Sequence, residues 1–227
     1  PTPLPLWGRY QCASHRPHHG SIFGLRHPTG SIPMITFRNS VLAPNPNSIF
    51  LIGDNLWDPA SQAWVIGGEQ RLLQSVAQLL MSNGLHVTCV QPYDRWSTWE
   101  HEGIQWIGIP PKKRSGFKKI LWSANLNKII NQESRVIYSY SELLGSKIPS
   151  NSVVWQHGVG WDGRSPERRI RSIFKNQKAL RKCRAIICVD TNFPNVMASN
   201  TQKIDLIHQK CHYIPNFPPI TPTLNHR

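Results

Sequence analysis

His157 has the surroundings most suited to chemistry. It follows the apolar stretch Val153-Val154-Trp155 and opens Gln156-His157-Gly158-Val159-Gly160-Trp161-Asp162-Gly163, so it stands at the carboxyl end of an expected strand, before a glycine-rich loop. An imidazole there can hydrogen-bond a substrate or move a proton near neutral pH. Gly158 and its fellow glycines permit close approach, and Asp162 adds a carboxylate. The plainer reading is a histidine that caps its strand through backbone bonds. Gly67-Gly68-Glu69 precedes an amphipathic segment; unpaired N–H groups and the helix macrodipole would favour an anion such as phosphate there. A simple turn is the alternative. Asp190-Thr191-Asn192 ends another apolar run, and is expected either beside the His157 loop or only as an Asx turn or helix cap.

The remaining constellation is electrostatic. Arg164, Arg168, Arg171, Lys175, Lys178 and Lys182 recur every three or four residues beside a single acid, Glu167. Together with Lys112-Lys113-Arg114 and Lys118-Lys119, the stripe is expected to be a solvated face or to meet an anionic surface. Arg168, Arg171, Lys175 and Lys178 are the candidate membrane contacts, and nucleic acid is the less favoured partner. Arg16-Pro17-His18-His19 lacks the further ligands that a metal needs and is assigned no function. Trp96, Trp99 and Trp106 are expected to pack as core or lid, because no pattern for stacking on bases accompanies them.

These residues need a scaffold, and its pattern starts near residue 48. Short runs rich in β-branched residues at 49–53, 86–91, 104–109, 135–139, 153–157, 185–190 and 212–215 alternate with helix-period segments. Such alternation specifies βαβ units and a parallel sheet. A first helix is expected over 68–83, with Asn83-Gly84 as its stop. A second is expected over 117–130. The third starts with Ser165 as cap and Pro166 in its first turn, burying Ile170, Ile173, Phe174 and Leu180. A fourth should span 194–209. The fold class is therefore α/β, a Rossmann-like, doubly wound, mostly parallel sheet. Residues 1–47 hold eight prolines and no acid, and are expected to be disordered or of low order.

Composition narrows the function. The 227-residue chain carries 26 Lys+Arg against 12 Asp+Glu, a formal +14, and no apolar run long enough to span a bilayer. The five cysteines are scattered without C-x-x-C, which points to a reducing, cytoplasmic setting, with peripheral attachment at the membrane's inner face as an option. The Gly67-Gly68-Glu69 segment has neither the G-x-G-x-x-G nor the P-loop pattern, so dinucleotide redox chemistry and P-loop hydrolysis lack their fingerprints at that turn.

The order of the pieces resembles family-4 glycosyltransferases of the two-Rossmann GT-B type. Gly67-Gly68-Glu69, the helix through Leu80, and Asn83-Gly84-Leu85-His86-Val87-Thr88-Cys89-Val90 are similar to that family's glycine turn, helix and "G-H-x-V-x-V" strand, with Leu85 inserted before His86. Gly103-Ile104, the His157-Gly158 strand end, the strand to Asn192 and Tyr213-Ile214-Pro215-Asn216 follow in the family's order, with Phe217 where a glycine is usual.

The resemblance implies a retaining transferase moving a sugar from a nucleotide-sugar donor to a glycan or lipid-linked acceptor, with no metal or other cofactor. It implies that His157 contacts the donor sugar near the reacting carbon and that Gly67 and Gly68 lie near the donor phosphates. Glu69, Gly158, Asp162, Asp190, Thr191 and Asn192 complete the expected substrate-binding set. Residues 48–217 would be the N-terminal, acceptor-side domain and 218–227 the start of an interdomain linker. The family's second domain holds the basic pair and the E-x7-E motif that grip the donor, so this chain is expected to need such a domain, in cis or in trans, for turnover. The competing expectation is a basic Rossmann-like module that binds an anionic membrane or nucleic acid without chemistry.

Overall fold

Strands buried on both faces dominate the architecture. The computed structural model describes residues 47–58, 61–110, 117–157, 165–201 and 204–215, all within one unit, Met34–Arg227. The expected disordered extension, apart from Asn47, and the expected linker lie outside the described residues. In chain order the elements are β1 (Ser48–Ile52), β2 (Trp57–Asp58), β3 (Ala63–Trp64), α1 (Gly68–Ser82), β4 (His86–Pro92), β5 (Ser97–His101) and β6 (Ile104–Ile109). They continue with α2 (Phe117–Leu126), β7 (Val136–Tyr138), a 3-10 turn (Ser141–Leu143), β8 (Ser152–Gln156), α3 (Pro166–Lys182), β9 (Ala185–Cys188), α4 (Asn192–Ser199), α5 (Ile204–Lys210) and β10 (Cys211–Tyr213).

Eight strands form one sheet in the order β10-β9-β8-β7-β1-β4-β6-β5, while β2 and β3 make a separate hairpin. Neighbours in the large sheet run parallel, except that β5 is antiparallel to β6. From β1 the chain builds outward through β4 and β6, then returns across β1 to β7 and builds the other way. The order thus reverses between β1 and β7, which is the doubly wound arrangement expected.

Alternation along the strands divides the core. Phe50, Ile52, Val90, Ile107, Tyr138 and Val154 face the layer that contains α2 and α3. Leu51, Val87, Cys89 and Trp106 face α1, which contributes Leu73 and Ala77. Leu51 and Ile52 are adjacent, fully buried and on opposite faces, so each contributes on the order of 1.5–3 kcal/mol of burial. Helix α1 ends as its sequence specifies: Gly84 takes a positive φ of 77°, its N–H donates to Met81 O, and Leu85 N–H donates to Leu80 O. This is the Schellman arrangement that glycine permits.

Several expectations change. Helix α2 stops at Leu126, not residue 130, and Ile129 and Ile130 are buried in the following turn. The expected fourth helix is two, α4 and α5, because Asn200 ends the first by donating from Nδ2 to Val196 O. The loop expected after β4 contains the edge strand β5, whose register sets Trp99 opposite Trp106. These two rings stack 5.8 Å apart at 7°. Trp57 and Trp64 of the hairpin lie 5.2 and 4.8 Å from Trp106, so Trp99 and Trp106 pack as expected. Gln91 anchors that hairpin by accepting from Trp57 N–H at 2.7 Å and donating to Trp57 O at 3.2 Å.

The largest correction concerns α3. Ile170 and Phe174 are 53% and 63% exposed, whereas Ser172, Asn176, Ala179, Leu180 and Cys183 are buried. The sheet already presents the large side chain of Tyr138, and small residues on α3 let the helix come close where isoleucine and phenylalanine would be overpacked. Ser172 is satisfied there by donating to Glu142 Oε1 at 3.1 Å. Pro166 opens the helix as expected, but Ser165 makes no side-chain capping bond.

Candidate functional site

A doubly wound sheet binds its ligands where neighbouring strands diverge, outside their carboxyl ends. Here that place lies between β1 and β7. Gly53 N–H donates to Val90 O and Ser139 N–H donates to Ile52 O, so the ladder runs up to the edge. The chain then turns sharply: a Cβ on Gly53 would meet the Leu56 side chain at 2.5 Å, and Asn55 adopts a left-handed φ of 53°. Asp54 is thereby set at the mouth, half-buried. Tyr140, two residues past β7, donates from its hydroxyl to Asp54 Oδ2 at 2.9 Å.

Helix α1 opens onto the same edge. Its first intrahelical bond runs from Arg71 N–H to Gly67 O, which leaves the N–H groups of Gly68, Glu69 and Gln70 ahead of the helical ladder. A Cβ on Gly67 would collide with the Gln70 carboxamide, whereas one on Gly68 would meet nothing within 4 Å. Gln70 Nε2 donates to Asp54 O at 3.4 Å and to Asn55 O at 3.5 Å. Gly67 thus makes room for a side chain that ties the helix start to the β1 turn, and Gly68 leaves the helix end open.

His157 lies at the end of β8, the neighbour of β7. The pairings of Ile52 with Tyr138 and of Tyr138 with Val154 set it two strands from β1, roughly 10 Å across the sheet at ordinary strand spacing. It is half-buried, and burial lowers its pKa below the ordinary imidazole value of 6.5. Among the described residues its Nε2 has no hydrogen-bond partner. A neutral imidazole in that position can accept or donate a hydrogen bond without carrying charge.

The other sequence candidates separate. Gly158 and Asp162 lie outside the described residues. Asp190 accepts at Oδ1 from Asn192 N–H at 2.9 Å and from Phe193 N–H at 3.2 Å, so it caps α4. That is the capping alternative, one strand beyond His157, and Thr191 and Asn192 are consumed in the same helix start. Glu69 is in the first turn of α1. In the basic stripe, Arg168 belongs to α3 and Arg171 is exposed. Lys175 and Lys178 are held instead, donating at 2.9 Å to Glu142 O and Gly145 O. Both were expected as membrane-contact candidates, and in the fold each ammonium is engaged by a backbone carbonyl. Asp54 and Tyr140 were not among the sequence candidates.

Fold and site together define a Rossmann-like α/β domain with polar groups at the carboxyl edge of its topological switch point. Among the described residues no three His, Cys, Asp or Glu side chains gather in a metal-holding group, and no helix is long and apolar enough to cross a membrane. No protein-family model matches the chain, and no curated protein matches it.

Proposed function

We propose that this domain is the acceptor-side half of a retaining glycosyltransferase that uses a nucleotide-sugar donor. The observation that supports the reading best is the convergence of the open α1 N-terminus at Gly67-Gly68, the Asp54–Tyr140 pair and His157 on one edge of the sheet. A helix N-terminus suits the negative charge that builds on a departing diphosphate. His157, neutral near pH 7, would hydrogen-bond the donor sugar, and the Asp54 carboxylate, oriented by Tyr140, would accept a hydrogen bond from the attacking hydroxyl and fix its position. In the step itself the bond from the anomeric carbon to the phosphate oxygen breaks. The acceptor oxygen bonds to the same face of that carbon, and its proton passes to the leaving phosphate.

The donor-gripping half would come from a second domain, in cis or in trans, so the 227-residue chain by itself is expected to show little or no turnover. The test is a screen of the purified chain against nucleotide sugars and glycan or lipid-linked acceptors by ligand-observed NMR. Acceptor binding weakened by Asp54→Asn, with weak or no donor binding, supports the proposal. Failure to bind any sugar, or binding that Asp54→Asn and His157→Ala leave intact, removes it.

A further inference from the structure

The outer surface of the α2–α3 layer carries exposed apolar side chains. Ile120 and Leu121 on α2 are 65% and 41% exposed, and Ile170 and Phe174 on α3 are 53% and 63% exposed. Both pairs sit in the early turns of their helices, which begin at the carboxyl edge of a parallel sheet. One structural layer carries them, since Trp122 Nε1 on α2 donates to Leu143 O and Lys175 Nζ on α3 donates to Glu142 O, joining both helices to the same 3-10 turn. Among the described side chains of the two helices, Arg171, Arg181 and Lys182 are exposed cations and Glu167 is the exposed acid.

We infer that Ile120, Leu121, Ile170 and Phe174 form a docking face for an anionic lipid bilayer. The apolar side chains would enter the boundary between headgroups and acyl chains, and cations such as the exposed Arg171 would meet lipid phosphates. Charge complementarity selects this occupant. A second copy of the chain would oppose positive charge with positive charge, and nucleic acid calls for stacking aromatics where this face offers three aliphatic side chains and one phenylalanine. The inference does not depend on the chemistry at the switch point.

Co-sedimentation of the 227-residue chain with vesicles of phosphatidylglycerol and phosphatidylcholine, against vesicles of phosphatidylcholine alone, tests it. Binding to the anionic vesicles should weaken with added salt and fall about tenfold or more in the Ile170→Asp/Phe174→Asp double variant. Thermal unfolding of that variant should match the parent, because both side chains are exposed. Ile120→Asp/Leu121→Asp reads the same face from the other helix. Absence of binding to anionic vesicles overturns the inference, as does binding that both double variants retain, which would be diffuse charge alone. A parent dimer that these substitutions dissociate would assign the face to a second copy and likewise overturn it.

Discussion

Tyr140 donates a 2.9 Å hydrogen bond to Asp54 Oδ2, linking the turns that leave β1 and β7 across 86 residues of sequence. The two strands are hydrogen-bonded neighbours, yet their helical connections depart to different parts of the fold, and the pair closes the gap between them. Gln70 holds the other side of the Asp54 turn through its backbone carbonyl. Tyr140 thus holds the carboxylate and Gln70 the backbone that carries it.

Replacing Tyr140 by Phe removes the hydroxyl and keeps the ring. The loss should cost about 1–2 kcal/mol in urea unfolding, the range for a hydrogen bond to a charged acceptor that is partly open to water. Under the transferase proposal, acceptor affinity should also fall several-fold, whereas Tyr140→Phe in a purely structural pair would lower stability and leave ligand binding unchanged.

His157 supplies a pH signature. Burial holds its folded pKa below 6.5, so the unfolded chain takes up the proton first. The His157 contribution to stability is therefore fully present above about pH 6.5 and is lost as pH falls through the folded value. NMR titration of the imidazole should place its midpoint below 6.5, and His157→Gln should flatten this part of the stability profile. A midpoint at or above 6.5 would contradict the buried, neutral imidazole.

Lys175 and Lys178 should behave as structural residues. Each donates to a backbone carbonyl in the segment after β7, and burial lowers the pKa of Lys178. Lys175→Met or Lys178→Met is expected to cost about 1–2 kcal/mol, while Arg171→Gln, which alters an exposed position, should stay within about 0.5 kcal/mol. Equal and negligible effects for all three in thermal melts would show that the two ammonium groups carry no structural role.

Thiol chemistry should be selective. Interaction between the thiols of Cys188 on β9 and Cys211 on β10 lowers the Cys211 pKa and raises that of Cys188. Burial pushes Cys183 up to about 12, and Cys89 is buried and raised as well. Of these four, Cys211 should react first with iodoacetamide, because it has the largest thiolate fraction and is partly exposed. Cys188→Ala should slow that reaction, a change that mass-spectrometric peptide mapping can follow.

How much of this was legible beforehand depends on whether a residue's role is local. The parallel strands were, since apolar runs such as Ala185-Ile186-Ile187-Cys188 specify burial on both faces by themselves. Gly84 and Asp190 also declared their turns locally. The edge strand β5 was not: Ser97–His101 mixes tryptophan with polar residues, although Glu102-Gly103, both at positive φ, was a usable hairpin signal. The α3 face was misread because Ile170 and Phe174 outweigh Ser172 and Asn176 in any hydropathy pattern, while the size of Tyr138 beneath the helix is a tertiary fact. Asp54 and Tyr140 become a site only once β7 returns to lie beside β1.

The tryptophan cluster has an optical consequence. Trp57, Trp64, Trp99 and Trp106 sit at the β5 edge, with Trp99 and Trp106 nearly parallel at 5.8 Å. Rings this close share excitation energy, so near-ultraviolet dichroism and much of the intrinsic emission will report on the hairpin and the sheet margin. Trp155, two residues before His157 and on β8, is the chromophore suited to watch the switch point. A ligand can therefore occupy the switch point while the bulk spectrum hardly changes, and a Trp155→Phe difference spectrum would isolate the signal that matters.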